Sequence, residues 1–150
     1  MSDARRQLRN AKKLVRLRLV EQSRASMKVA QTQERIHQAT EALAAAERAI
    51  EDGDREFTEQ SPRWGSISSF EAALARREAR TGDVVAHNKE VEDGQQAQEE
   101  AIDELRAHDA RLSAAEQLVL LHRQRLRRTL ERLEQTITDD LSVLKKSQDS

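Results

Sequence analysis

Apolar residues return every seven positions along most of the chain. From Leu8 the column reads Leu8, Val15, Gln22, Val29, Ile36, Leu43, Ile50 and Phe57, interrupted only by Gln22. Three residues on, the positions are Ala11, Arg18, Ala25, Thr32, Ala39, Ala46 and Gly53, small apart from Arg18. This is a heptad with large residues on one side of the seam and mainly small ones on the other, where a partner helix can approach closely. A helix over about residues 3–58 would run roughly 85 Å at 1.5 Å per residue, and it cannot fold back on itself to bury that stripe.

The second half supplies the partner. Its column reads Phe70, Arg77, Val84, Val91, Gln98, Leu105, Leu112, Val119, Leu126, Leu133 and Asp140. The companion column, taken four residues on, is Leu74, Thr81, Asn88, Gln95, Ile102, Asp109, Glu116, Arg123, Leu130, Ile137 and Leu144, with polar runs from Thr81 to Gln95 and from Asp109 to Arg123. Between the halves lies EQSPRWGSISSF, residues 59–70, with the chain's only Pro and only Trp. Ser61 can cap, Pro62 suits a turn, and Gly65 offers permissive dihedrals. Ser68 or Ser69 would open the return helix, with Glu71 supporting its N-terminus. The pattern predicts an all-α fold in one domain: a long antiparallel two-helix coiled-coil hairpin with a longer C-terminal helix. Its parts are a helix over about 3–58, a turn over about 59–68 and a helix over about 69–146. Gly82 and Gly94 each cost about 1 kcal/mol relative to Ala inside a helix, and a break at either would give a three-helix bundle instead. The shared register of Val84, Val91 and Leu105 favours the hairpin.

If Phe57 faces Phe70, residue 2 stands opposite about residue 126. The surplus carries Leu126, Leu130, Leu133, Ile137, Leu141 and Leu144, a stripe at helical spacing with no partner in the chain. Three readings stay open: a frayed tail, a homodimer seam, or a helix that docks in another protein's groove.

Composition agrees with long helices. Charged residues make up 35% and aromatics 2% of 150 residues, with a net charge of −1 that weighs against disorder. Charge is nonetheless separated along the chain. Residues 1–28 hold nine Lys/Arg against two acids, and residues 122–146 hold seven against four. Residues 41–59 hold seven acids against two Arg, and residues 89–109 hold eight against two cations. The open end of the hairpin is therefore basic and the shaft towards the turn acidic, which suggests an acidic surface as partner for the open end. Cysteine is absent, no apolar run is long enough to span a membrane, and the basic start lacks a signal-peptide core. These features lead to the expectation of a soluble cytoplasmic protein.

Candidate chemistry is sparse. His37, His87, His108 and His122 have no metal-type spacing with a carboxylate and read as surface or seam-edge residues. Glu99/Glu100 and Asp139/Asp140 are adjacent on a helix and point apart. With no phosphate loop, nucleophile elbow or concave pocket expected, the reading is a protein that is not an enzyme and uses no cofactor or metal. Nucleic acid is the weaker binding alternative: ARRQLRNAKKLVRLR can meet phosphates, yet it offers no aromatic for stacking. Attachment to a membrane surface is disfavoured by the lack of Trp or Phe in that segment.

A cysteine-free antiparallel coiled coil of this length, with RRQLRNAKKLVRLR at a basic open end, resembles the central-stalk proteins of type III secretion and flagellar export, the YscO/FliJ family. The resemblance implies a stalk that inserts its paired ends in a hexameric export ATPase, at the periphery of the secretion apparatus. It also implies coupling to an export-gate protein and, for some members, binding of export chaperones. By position, the ATPase-facing end would comprise Arg5, Leu8, Arg9, Lys12 and Val15 with Arg123, Arg127, Leu130, Leu133 and Ile137. The gate- or chaperone-facing surface would lie near the turn, around Phe57, Trp64, Phe70 and Leu74. Trp64 could anchor that interface, or pack over Phe57 and Phe70 to close the hairpin. The competing reading is a coiled-coil scaffold, monomeric or weakly dimeric through the Leu126–Leu144 stripe.

Overall fold

The computed structural model describes residues 2–60, 63 and 65–149. Two helices account for nearly all of them, α1 over Ser2–Gln60 and α2 over Ile67–Asp149, and the described residues contain no strand. The expected all-α helical hairpin is therefore the fold, each helix a few residues longer than its periodicity indicated. The three-helix alternative is excluded, because α2 runs unbroken through Gly82 and Gly94.

The start of α2 differs from expectation in its cap. Ser66, not Ser68 or Ser69, precedes the helix, and its Oγ accepts from the Ser69 backbone N–H at 3.3 Å. A hydroxyl three residues before an orphan amide is the usual N-cap geometry. Glu71 falls beyond the first turn, which has no acidic residue. Gly65 does not have a positive φ, and a Cβ built on it would meet open space. The turn thus makes no use of the conformational freedom expected of that glycine. Ser61, Pro62 and Trp64 lie outside the described residues.

Contacts group the chain in two units, one of residues 26–104 and one of residues 2–25 with 105–149. In the first unit the most deeply buried positions are small: Thr32, Ala39 and Gly53 from α1, and Ala73, Gly94 and Ala101 from α2. Ala101 is 0% exposed. The Thr32 hydroxyl is satisfied by donating to the Val29 carbonyl at 2.8 Å. The large residues Val29, Ile36, Leu43 and Ile50 are only half-buried, flanking the small column.

This corrects the companion column of α2. The buried positions fall three residues after the large column, at Ala73, Gly94 and Ala101, and not four after it, where Thr81, Asn88 and Gln95 are exposed. Both helices carry the same pattern, and the small residues bring the backbones together. Close approach strengthens dispersion along the seam at the expense of large buried side chains. Ion pairs then bridge the helices at the rim: Lys28 to Glu104 at 3.2 Å, Arg35 to Glu90 at 2.8 Å and Arg77 to Asp54 at 3.0 Å. The register is shifted as well. Ile36 faces Gly94, where residue 91 or 92 was expected.

The second unit contains both chain ends and continues the same construction. Ala11 and Ala25 from α1 and Leu112, Ala115 and Val119 from α2 are buried. Gln22 donates to Asp109 at 2.7 Å, and Glu21 stands beside His108 where residue 106 or 107 was expected. Leu126 is half-buried, so it belongs to the hairpin seam and not to the unpaired stripe. From Leu130 to Asp149 every residue is exposed, and this is the true overhang.

Candidate protein-binding surface at the chain ends

The unit holding the chain ends contains the ten residues expected there and brings three of them to one groove. Lys12, Val15 and Arg123 share an open groove of about 450 Å³ with Arg16, Glu116, Val119 and Leu120. Val15 and Val119 form its floor as seam residues, and the cations stand on its rim. Arg127 borders a neighbouring hollow with Leu120, Leu121 and Arg123. Arg9 and Arg5 are exposed one and two turns before Lys12, and Leu8 is half-buried in the seam. Among the described residues, Arg5, Arg9, Lys12, Arg123 and Arg127 have no ion-pair partner.

The seam's other side carries a second groove, of about 250 Å³, lined by Leu14, Arg18, Arg111, Ala114, Ala115 and Leu118. Arg18 donates to Glu21 at 2.9 Å, and this hydrogen bond holds the Glu21 carboxyl below the ordinary glutamate range against a smaller opposing effect of burial. His108 Nδ1 lies 3.6 Å from the same carboxylate and is buried without a hydrogen-bond partner. His87, His108 and His122 all occupy the small column of α2, half-buried, while His37 is exposed and 3.1 Å from Glu41. No group of His, Cys, Asp or Glu among the described residues is arranged to hold a metal ion.

Heptad reading missed a set of apolar residues around this unit. Leu17, Leu19, Val20, Leu120 and Leu121 lie off the seam and are exposed. Their signal was the density of apolar residues in LVRLRLV and LVLL, which exceeds what one seam can bury. Leu130, Leu133 and Ile137 continue along the overhang, rising from 37% to 58% exposed, with Leu141 and Leu144 beyond them.

At the turn end, Phe57 and Phe70 do meet, their ring centroids 6.1 Å apart and tilted, with the Arg77 guanidinium 5.9 Å above the Phe57 ring. Tilted aromatic pairs and a stacked cation are a local clasp, so these rings are in part spent on closing the hairpin. Leu74 is half-buried, and Ile67, not singled out by the sequence, is 77% exposed. Trp64, the fourth residue expected there, lies outside the described residues.

No helix among the described residues is long and apolar enough to cross a membrane. Set against family models, curated proteins and solved structures, the chain matches none of them.

Proposed function

We propose that the chain is a non-enzymatic stalk of the type III secretion kind, whose chain ends engage a hexameric export ATPase. In this reading Arg5, Leu8, Arg9, Lys12, Val15, Arg123, Arg127, Leu130, Leu133 and Ile137 form the engaging surface. The observation that carries it is the juxtaposition of cations lacking ion-pair partners with an α2 overhang, exposed from Leu130 to Asp149. An apolar stripe bordered by free cations suits a partner surface of acidic rim and shallow apolar grooves. A paired-helix shaft supplies stiffness without a large core, as a coupling element requires. Coupling to an export gate or to export chaperones would then fall to the turn end, at Phe57, Phe70, Leu74 and Trp64.

The test is hydrolysis by a purified export ATPase titrated with the chain at low salt, with oligomeric state followed by light scattering. Stimulated hydrolysis accompanied by hexamer formation is expected, and both should be lost in the Arg5/Arg9/Lys12→Glu variant. No change in either quantity overturns the stalk reading and leaves a coiled-coil protein with another partner.

A further inference from the structure

We infer that the overhang of the free protein is the seam of a homodimer, in which two copies of residues 130–149 pair antiparallel. The inference goes beyond the stalk reading, and no ATPase enters its test.

Its first support is the overhang's own geometry. Leu130, Leu133, Ile137, Leu141 and Leu144 recur at spacings of three and four, so they share one face, and all are exposed. Leu126 and Thr129, just before them, are half-buried, so the hairpin seam ends where this face begins. A second overhang lying antiparallel takes the place that α1 would occupy if it extended further.

The apolar pattern then selects a register. Laying the two apolar faces against each other antiparallel sets the register. In that register Leu133 meets Leu144 of the second copy, Ile137 meets Leu141 of the second copy, and the two-fold axis repeats both layers.

Charge gives the third support. Glu134 and Lys145 are eleven residues apart, three helical turns, and flank the apolar face on the same side. In an antiparallel pair, equivalent flanks face each other, so Glu134 lies beside Lys145 of the second copy, twice per dimer. Gln135 donates to Asp139 at 3.1 Å on the far side of the helix, and among the described residues neither Glu134 nor Lys145 has an ion-pair partner. Asp140 flanks the face on the other side, three residues after Ile137. The antiparallel register places the two Asp140 carboxylates near each other across the axis, which is its one unfavourable contact. A parallel dimer reverses this: Asp140 would lie beside Lys145 of the second copy, and Glu134 would face only Thr129 and Thr136. The sign of the Asp140 effect therefore separates the two arrangements.

From Leu130 to Leu144 the seam is about 21 Å long and two helices wide, at the small end of specific interfaces, so dissociation in the micromolar range is expected. The decisive experiment is sedimentation equilibrium of the full chain over a dilution series, with three surface variants. The expected result is a concentration-dependent dimer that Lys145→Glu weakens several-fold, that Glu134→Lys combined with Lys145→Glu restores, and that Asp140→Asn strengthens. The chain has no cysteine, so disulfide trapping is clean. The Leu133→Cys/Leu144→Cys double variant should form covalent dimers on mild oxidation, while Ile137→Cys alone should not. A monomer at every concentration overturns the inference. So does weakening by Asp140→Asn, efficient trapping by Ile137→Cys alone, or a dimer indifferent to all the overhang variants.

Discussion

Gly94 lies against Ile36 so closely that a Cβ built on the glycine would fall 3.1 Å from Ile36 Cγ1 and 3.8 Å from its Cα. A backbone atom that near shows that the glycine is a packing residue, placed where the helices touch. Gly82, twelve residues earlier on the same helix, would meet nothing within 4 Å. The two glycines therefore respond oppositely to substitution. Gly82→Ala should stabilise by about 1 kcal/mol through helix propensity alone. Gly94→Leu should destabilise by about 1–3 kcal/mol, because the added atoms have no room. Urea midpoints of the two variants, measured side by side, check this. A Gly94→Leu protein as stable as the parent would mean that the helices separate at no cost, contrary to a close-packed seam.

Ala101 extends the same argument to a position with no exposure at all. Ala101→Leu restores the large residue that a conventional coiled coil would place there, yet it should cost about 1–3 kcal/mol by overpacking. His108, one heptad on, makes the contrast. Its buried Nδ1 has no hydrogen-bond partner, so His108→Ala should lower stability by far less than Ala101→Leu does. Thermal unfolding of the pair decides; a larger loss for His108→Ala would assign the imidazole a bond the structure does not contain.

These positions also explain which parts of the fold were legible. The large columns and the turn interval stand out in the sequence because Val, Ile, Leu and Phe recur at seven-residue spacing, and because the only Pro falls between them. The small column of α1 was equally visible once the large one was placed. The small column of α2 was not, since Ala73, Gly94 and Ala101 alternate with Arg80, His87 and His108 and carry no hydrophobic signature. Leucines at Leu74, Leu130 and Leu144 drew the reading to the neighbouring column instead. The register slipped for a related reason: Phe57 and Phe70 do touch, but long rings reach along the axis, and their contact does not align the backbones. At the chain ends, charge and heptad position singled out Lys12, Val15 and Arg123, which line one groove. Leu17, Leu19, Val20, Leu120 and Leu121 were passed over because they lie off every seam.

Acid should weaken the hairpin in a way that two glutamates report. The Arg35 hydrogen bond at 2.8 Å lowers the Glu90 pKa, and the Arg18 bond lowers that of Glu21. A folded pKa below the unfolded value means the contribution is present above the ordinary value of 4.5 and lost as pH falls through the lower folded value. Glu90→Gln should accordingly be less stable than the parent at neutral pH, with the gap closing in acid, and the effect should shrink in salt because the pair is half exposed. Denaturation midpoints at neutral and acidic pH provide the check. A gap that widens in acid would reverse the sign and sink the assignment.

The boundary between hairpin and overhang predicts the sharpest contrast of all. Val119 is buried at 8% exposure, whereas Leu133, two heptads further on in the same column, is 42% exposed. Val119→Asp forces a carboxylate against Val15 and the seam, and should cost about 2–3 kcal/mol. Leu133→Asp lies beyond the last half-buried position, Thr129, and should change the stability of the dilute monomer by no more than about 0.5 kcal/mol. Dilution matters, because at high concentration a self-paired overhang would add its own loss. Urea unfolding of both variants in the dilute limit separates the two positions. If Leu133→Asp destabilised the monomer as much as Val119→Asp does, the overhang would have to be packed against the hairpin, and neither a partner nor a second copy could reach its apolar face.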